Sequence, residues 1–377
     1  MQHHLDATPR LLAPFAVLQR LADRLHGRAR GGVVRGRRVA RLPPPRVLVG
    51  LGLGALLFLA ARLPLAGVPG AAALWVADRD GDAVVALDGD GLEVRREPLR
   101  SPVALAPGGG GALWVASARD GWALGEHRLL HLAPGGGRTV AAAGLGPVLD
   151  LEPLPDGGAL LVELVDGGAN RVIAGGGSGA GPHGVPAGTG AGVTGPRVLA
   201  TLDGAGCAAA RPVDDGGQVA IEVLVGDWAG GLTLLRDGVV VDRRILGGEL
   251  GDLAPGPGGT WFALDVAGRR LVLLDANLAV LWSVDHGLAA TGLAVVPGAE
   301  RVWLVDGTEP LARRYGPGGA LELETGLLAS DLGAAAGGPA GDLWAAAPGA
   351  VLHLDAAGAS LPGQGGFAYL TDLARVP

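Results

Sequence analysis

One phrase recurs along this 377-residue chain: an apolar strand ending in an acid, a short turn, a second apolar strand, then a Gly-rich hairpin. It reads ALWVADRDGDAVVALDGDG from Ala73, ALWVASARDGWALGEHRLLHLAPGG from Ala112, TWFALDVAGRRLVLLDAN from Thr260 and RVWLVDGTEPLARRYGPGG from Arg301. A worn copy, DLWAAAPGAVLHLDAAG, starts at Asp342. Trp75 and Trp114 stand 39 residues apart, and Phe262, Trp303 and Trp344 follow at steps of 41. A period near 40 with several short strands per unit is that of β-propeller blades, so the chain is expected to be all-β.

Each unit opens with an innermost strand: VALAP from Val103, LDLEP from Leu149, CAAARP from Cys207, GDLAP from Gly251, TGLAVVP from Thr291, SDLGA from Ser330 and TDLARVP from Thr371. The last reaches the C-terminus, while the first copy, near Ala72, lacks an innermost strand of its own. Letting the C-terminal strand complete the N-terminal blade removes both free edges and predicts a seven-bladed ring over residues 71–377. The filler GGGSGAGPHGVPAGTGAGVTGP, Gly175 to Pro196, leaves six or eight blades open if it conceals strands. Second strands such as LWVA and WFAL are continuous apolar runs, as expected of sheets covered on both faces. Trp75, Trp114, Trp261, Trp303, Trp344 and Trp282 are therefore expected in the core.

Charge divides the chain. Residues 1–62 carry eleven Arg against Asp6 and Asp23, a net of +9, which leaves −16 on the remainder of a chain with formal charge −7. The region reads as an N-terminal basic arm, residues 1–46, before the uncharged run Val47–Ala61. Extended to Gly70, that run has the length of a single transmembrane helix, with Arg62 snorkelling. A signal-anchor accounts for it better than a cleaved signal, whose n-region would be 46 residues. The positive-inside rule then places the arm in the cytoplasm and the propeller outside it, in a bacterial periplasm or at the cell surface. All basic residues are Arg and they run straight into an apolar segment, so no nucleic acid is expected as partner. Cys207 is the single cysteine, and no intramolecular disulfide can form.

The phrase LWVADRDGDAVVALDGDG resembles NHL-type propeller repeats, and GANRVIAG from Gly168 has the Asn-Arg-Val of their turn. GPGGTWFALD from Gly256 and the ALWVA copies are similar to the streptogramin-lyase group of seven-bladed propellers, and the layout is similar to gluconolactonase-type ones. The resemblance covers Ala72 to Pro377. It implies the propeller fold, a magnesium site of His and Glu in the lyases, and a divalent metal on Glu, Asn and Asp in the lactonases. Here only Glu126-His127 brings His beside Glu, and the only Asn are Asn170 and Asn277, so neither activity carries over.

Candidate chemistry lies at one end of the ring. Aligned on Leu-Ala-Pro, the innermost strands put Asp150, Asp252, Asp331 and Asp372 at one repeat position, against Ala104, Ala209 and Gly292 elsewhere. At the same end the second strands close on Asp78, Asp227, Asp265 and Asp306, and Trp122 and Trp228 stand in turns where the repeat demands no aromatic. Converging carboxylates repel unless a cation or proton intervenes, so the four inner Asp are a candidate site for Ca²⁺ or Mg²⁺ or a cationic ligand, with both Trp beside it. The competing reading is that each Asp holds turn amides, as Asx residues do. Glu163 and Glu222 interrupt apolar strands and are expected to pair with Arg. The expectation is a membrane-anchored binding, scaffold or sensor module whose acidic face takes a protein, glycan or cationic partner. The alternative is a metal-dependent lyase or lactonase-like hydrolase on that face.

Overall fold

The computed structural model describes residues 72–119, 125–165, 169–176 and 196–376. They form seven four-stranded antiparallel sheets. The innermost strands are Leu370–Arg375, Pro102–Pro107, Val148–Pro153, Ala205–Asp215, Leu250–Pro255, Ala290–Val295 and Ala335–Gly337, numbered here as blades 1 to 7. Each touches the innermost strands on either side, so they ring a central channel. The ring closes as the repeat requires: Leu370–Arg375 pairs with Leu74–Asp78, with Leu74 opposite Arg375 and Ala77 opposite Asp372.

The count is seven. Ala169–Gly175 and Arg197–Asp203 pair as third and outer strands of one sheet, so blade 3 has its four strands without residues 177–195, which lie outside the described residues. The basic arm and the expected span, residues 1–70, also lie outside them. Among the described residues no helix is long and apolar enough to cross a membrane.

The continuous apolar runs are buried on both faces. Leu74–Asp78, Ala159–Glu163, Trp261–Asp265, Val302–Asp306 and Leu343–Ala347 are buried at every position, whereas the outer strand Val239–Ile245 of blade 4 is exposed at every position. Core clusters form between sheets: Trp75, Leu105, Leu113 and Leu130 join blades 1 and 2, and Phe262, Leu293 and Tyr315 join blades 5 and 6. Full burial of one such side chain contributes about 1.5–3 kcal/mol. Two second-strand tryptophans add a directional bond: Trp114 Nε1 donates to Gly157 O and Trp303 Nε1 to Gly341 O, each in the next blade, at 3.0 Å. Gly157 has φ of +84° and passes within 2.9 Å of Gly109 where a Cβ would stand, so the turn that receives Trp114 needs glycine. Trp282 departs from the expected core, being only half-buried on an outer strand, with Nε1 donating to Glu300.

Candidate functional site

Antiparallel strands place the turns after the second strands and the connections into the innermost strands at one end of the ring, here the loop face. A β-bulge near that end of blades 1 to 6 fixes a common register. The first pair beyond it is Asp372 with Ala77, Ala104 with Ala116, Asp150 with Val162, Cys207 with Gly226, Asp252 with Leu264, and Gly292 with Val305. In blade 7 the equivalent residue is Ala334, whose carbonyl accepts from Ala346 N. Carboxylates thus occupy blades 1, 3 and 5.

Asp331 is not among them. It precedes the short strand Ala335–Gly337, is exposed, and has φ of +57°. Alignment on Leu-Ala-Pro misplaced it because that connection enters its strand three residues later than the other blades do. The same alignment put Ala209 where blade 4 has Cys207, because Ala205–Asp215 and Gln218–Asp227 form an extended hairpin whose proline is not at the strand end. Trp122 lies outside the described residues. Trp228 is 48% exposed on the loop face.

Each inner aspartate has the same two backbone partners. Asp372 accepts from Leu373 N and, in blade 2, from Leu105 N at 2.7 and 2.6 Å. Asp252 accepts from Leu253 N and, in blade 6, from Leu293 N at 2.8 and 3.0 Å. Asp150 accepts from Ala208 N of blade 4 at 2.7 Å. The carboxylates staple seams 1–2, 3–4 and 5–6. Glu152, two residues beyond Asp150 and absent from the sequence alignment because one blade alone carries an acid there, joins them on the channel wall.

Each side chain keeps some access to the channel, but enclosure by the ring dominates its titration. Burial raises Asp252 to about 8, with the Asp150 charge adding to it and the Leu293 and Leu253 amides opposing. Burial raises Asp372 to about 7 and Asp150 to about 6 against the same kind of amide bonds. Glu152 is pushed well up by burial and then by Asp150, Asp252 and Asp372, and burial likewise pushes up the Cys207 thiol. Among the described residues no three His, Cys, Asp or Glu side chains come together as a group able to hold a metal ion. The Ca²⁺ or Mg²⁺ role expected of Asp150, Asp252, Asp331 and Asp372 thus meets three side chains turned onto backbone amides and one outside the ring.

The acids that end the second strands also hold backbone. Buried Asp78 accepts from Gly81 N in its own turn and from Ala368 and Tyr369 N on the incoming connection. Asp265 does so with Gly268 and Glu249 N and adds Arg270, and Asp306 with Thr308, Glu309 and Ala289 N. Burial pushes Asp265 and Asp306 up, yet these bonds outweigh it and hold both carboxyls below the usual range. Asp227 accepts from Ala229 and Gly231 N. These carboxylates make the loop face rigid. On it stand exposed apolar groups, Trp228, Ile245 at 82%, Leu328 at 83% and Tyr369 at 46%, among exposed acids including Asp80, Asp203, Glu249, Asp285 and Glu309.

No family model matches the chain, and no curated protein does. Solved structures do. A functionally unknown protein from Desulfotomaculum acetoxidans is 15% identical with a TM-score of 0.61, over 81% of this chain and 99% of that one. A streptogramin B lyase is 13% identical, TM-score 0.52, over 70% and 82%. The virginiamycin B lyase of Staphylococcus aureus is 12% identical, TM-score 0.51, over 70% and 84%. At these identities the likeness is one of fold: this chain is a seven-bladed β-propeller whose structural neighbours include the streptogramin-lyase-like propellers.

Proposed function

We propose that the protein is a non-catalytic binding or scaffold module that presents its loop face to a partner outside the cytoplasm, tethered through residues 47–70. The observation that carries this reading is the exposure of Trp228, Ile245 and Tyr369 on loops pinned by Asp227, Asp265 and Asp78, with exposed Leu328 on the same face. Aromatic groups on rigid supports are the usual anchors of protein interfaces, since little conformational freedom is lost on docking. Acids around them favour a partner surface that is basic and apolar, a protein before a glycan or a small cation. The fold likeness to lyases supports a metal-dependent lyase or lactonase-like hydrolase only at the level of scaffold. That reading needs an unengaged acid or base beside a cation, whereas the inner aspartates already hold seams.

The test is photocrosslinking in cells with the full chain, placing a crosslinking amino acid at position 228 or at position 92, an exposed leucine in a turn at the opposite end. A discrete adduct from position 228 and none from position 92 is expected. Equal adducts at both, or adducts from position 92 alone, would overturn the assignment of the face.

A further inference from the structure

The strand that closes the ring also delivers an acid into it. Leu370–Arg375 comes from the far end of the sequence, and its docking against Leu74–Asp78 carries Asp372 to the channel wall, where it accepts from Leu105 N of blade 2. That wall already holds Asp150 and Glu152 from blade 3 and Asp252 from blade 5.

Among the described residues nothing basic on the channel wall answers them. The innermost strands of blades 2, 6 and 7 carry no titratable side chain. The innermost strand of blade 4 contributes buried Cys207. Its Arg211 is bound to Glu222, and its Asp214 and Asp215 lie at the tip of the extended hairpin. On the second strand of blade 1, Asp78 is held by Gly81, Ala368 and Tyr369. On the closing strand itself, Arg375 donates to Gly337 O in the seam with blade 7. Among the described residues, Asp372 therefore enters a space whose other ionisable groups are acids, with two amide bonds as its polar compensation.

We propose that closure of the propeller by its C-terminal strand is coupled to uptake of a proton by Asp372, so that the closing strand docks firmly in acid and opens more readily as the surroundings turn alkaline. One proton from solvent binds the carboxylate as the strand docks and returns to solvent when it leaves. The direction follows from enclosure of the docked carboxyl by the ring, to which the Asp150 charge adds and which the Leu105 and Leu373 amides oppose. The docked carboxyl titrates near 7, whereas the undocked one behaves as an ordinary aspartate near 3.9. Stability from this group is fully present below the undocked value and is lost as pH rises through the docked one. Between pH 5.5 and 8.5 the opening equilibrium of the strand should rise roughly 30-fold from this group alone.

Hydrogen exchange on the full-length protein reads this directly. Amides of residues 370–375, corrected for intrinsic exchange, should lose about 30-fold of protection from pH 5.5 to 8.5, with the second strand Val302–Asp306 of blade 6 as internal reference. Asp372→Asn keeps an oxygen for Leu105 N and should reduce the change to a few-fold, while Asp331→Asn, outside the ring, should leave it intact. A wild-type strand whose protection does not depend on pH, or an Asp372→Asn strand that keeps the wild-type dependence, would overturn the proposal. If Asp372→Asn does not fold, a site-resolved NMR titration of the Asp372 carboxyl carbon in the wild type decides. A midpoint near neutrality is expected, and a midpoint in the ordinary aspartate range refutes proton-loaded closure.

Discussion

Removing the charge of Glu222 should unsettle the seam between blades 4 and 5 more than any comparable surface change. Glu222 is 2% exposed in the second strand of blade 4, opposite Arg211 on one side and Arg236 on the other. It accepts from Arg211 Nε and Nη2 at 3.0 and 2.6 Å and from Arg236 Nη2 at 2.6 Å. Arg211, itself 6% exposed, also donates to Thr260 O and lies 4.2 Å over the Trp261 ring, both in blade 5. Glu222→Gln preserves shape but removes the charge, and its single NH2 must face one of the two guanidiniums while the remaining oxygen serves the other. Arg236 can rehydrate, but Arg211 is left buried without a counter-charge, which costs about 3 kcal/mol. At roughly 2 °C per kcal/mol for a chain of this size, the thermal midpoint should fall by about 6 °C. Burial pushes the Glu222 carboxyl up, yet the two guanidiniums outweigh it and hold it below the usual range. Its contribution is thus present above the ordinary glutamate pKa and lost as pH falls through the lowered one. Differential scanning calorimetry of Glu222→Gln, Arg236→Gln and the double variant Arg211→Met/Glu222→Met checks this. The first should be the most damaging, and the double variant should recover most of the loss because an apolar pair leaves nothing unpaired. A Glu222→Gln midpoint within about 1 °C of wild type, or a double variant worse than the single, would refute the reasoning.

Deleting residues 367–377 should abolish the cooperative transition or cause aggregation on heating. It removes buried Phe367, Leu370, Leu373 and Ala374 and bares the edge of Leu74–Asp78; a single sharp transition at the full-length midpoint would argue against closure by this strand. Burial, and then the Arg313 and Arg269 charges, lower His286 to about 4, so its contribution is present above about 6.5 and lost as pH falls toward 4. Urea midpoints between pH 7 and 4.5 should fall less in His286→Asn than in wild type. Asp265→Ala should cost about 1–3 kcal/mol, since it frees two backbone amides and Arg270 from a buried carboxylate together, while Asp331→Ala should stay within about 0.5 kcal/mol by the same measurement.

Most of the architecture was legible because a 40-residue period and apolar second strands are consequences of blade packing, which every unit must satisfy. The closing strand was legible for the same reason, since a ring cannot leave Leu74–Asp78 without a partner. Glu163 and Glu222 were likewise legible as paired, and they bond Arg171 and Arg211 with Arg236. The site was less so. Which residues face the channel depends on the bulge between innermost and second strands, and a proline at a strand's far end reports that register only where strand lengths are equal. Blade 4, with its extended hairpin, and blade 7, with a three-residue innermost strand, break that equality, hiding Cys207 and falsely enrolling Asp331. That the aspartates hold amides rather than converge on a shared point is a matter of side-chain direction, which spacing does not encode.

The alternation of inner aspartates has an arithmetic consequence. Every second member of an odd ring cannot be marked without a defect, and with acids in blades 1, 3 and 5 the defect falls on blade 7, which no aspartate staple reaches from either side. Its innermost strand is also the shortest of the seven. It is held instead by Thr291 Oγ1 donating to Leu332 O, by Trp303 reaching Gly341 O, and by Arg375 reaching Gly337 O. Mechanically the ring is three riveted pairs and one segment without an aspartate rivet, lying beside the seam where Val376 N donates to Ala73 O. Tension applied at residues 72 and 376 would part Leu370–Arg375 from Leu74–Asp78 first and draw out the Asp372 staple with it, so that residues 335–365 follow while the pairs of blades 3–4 and 5–6 still stand.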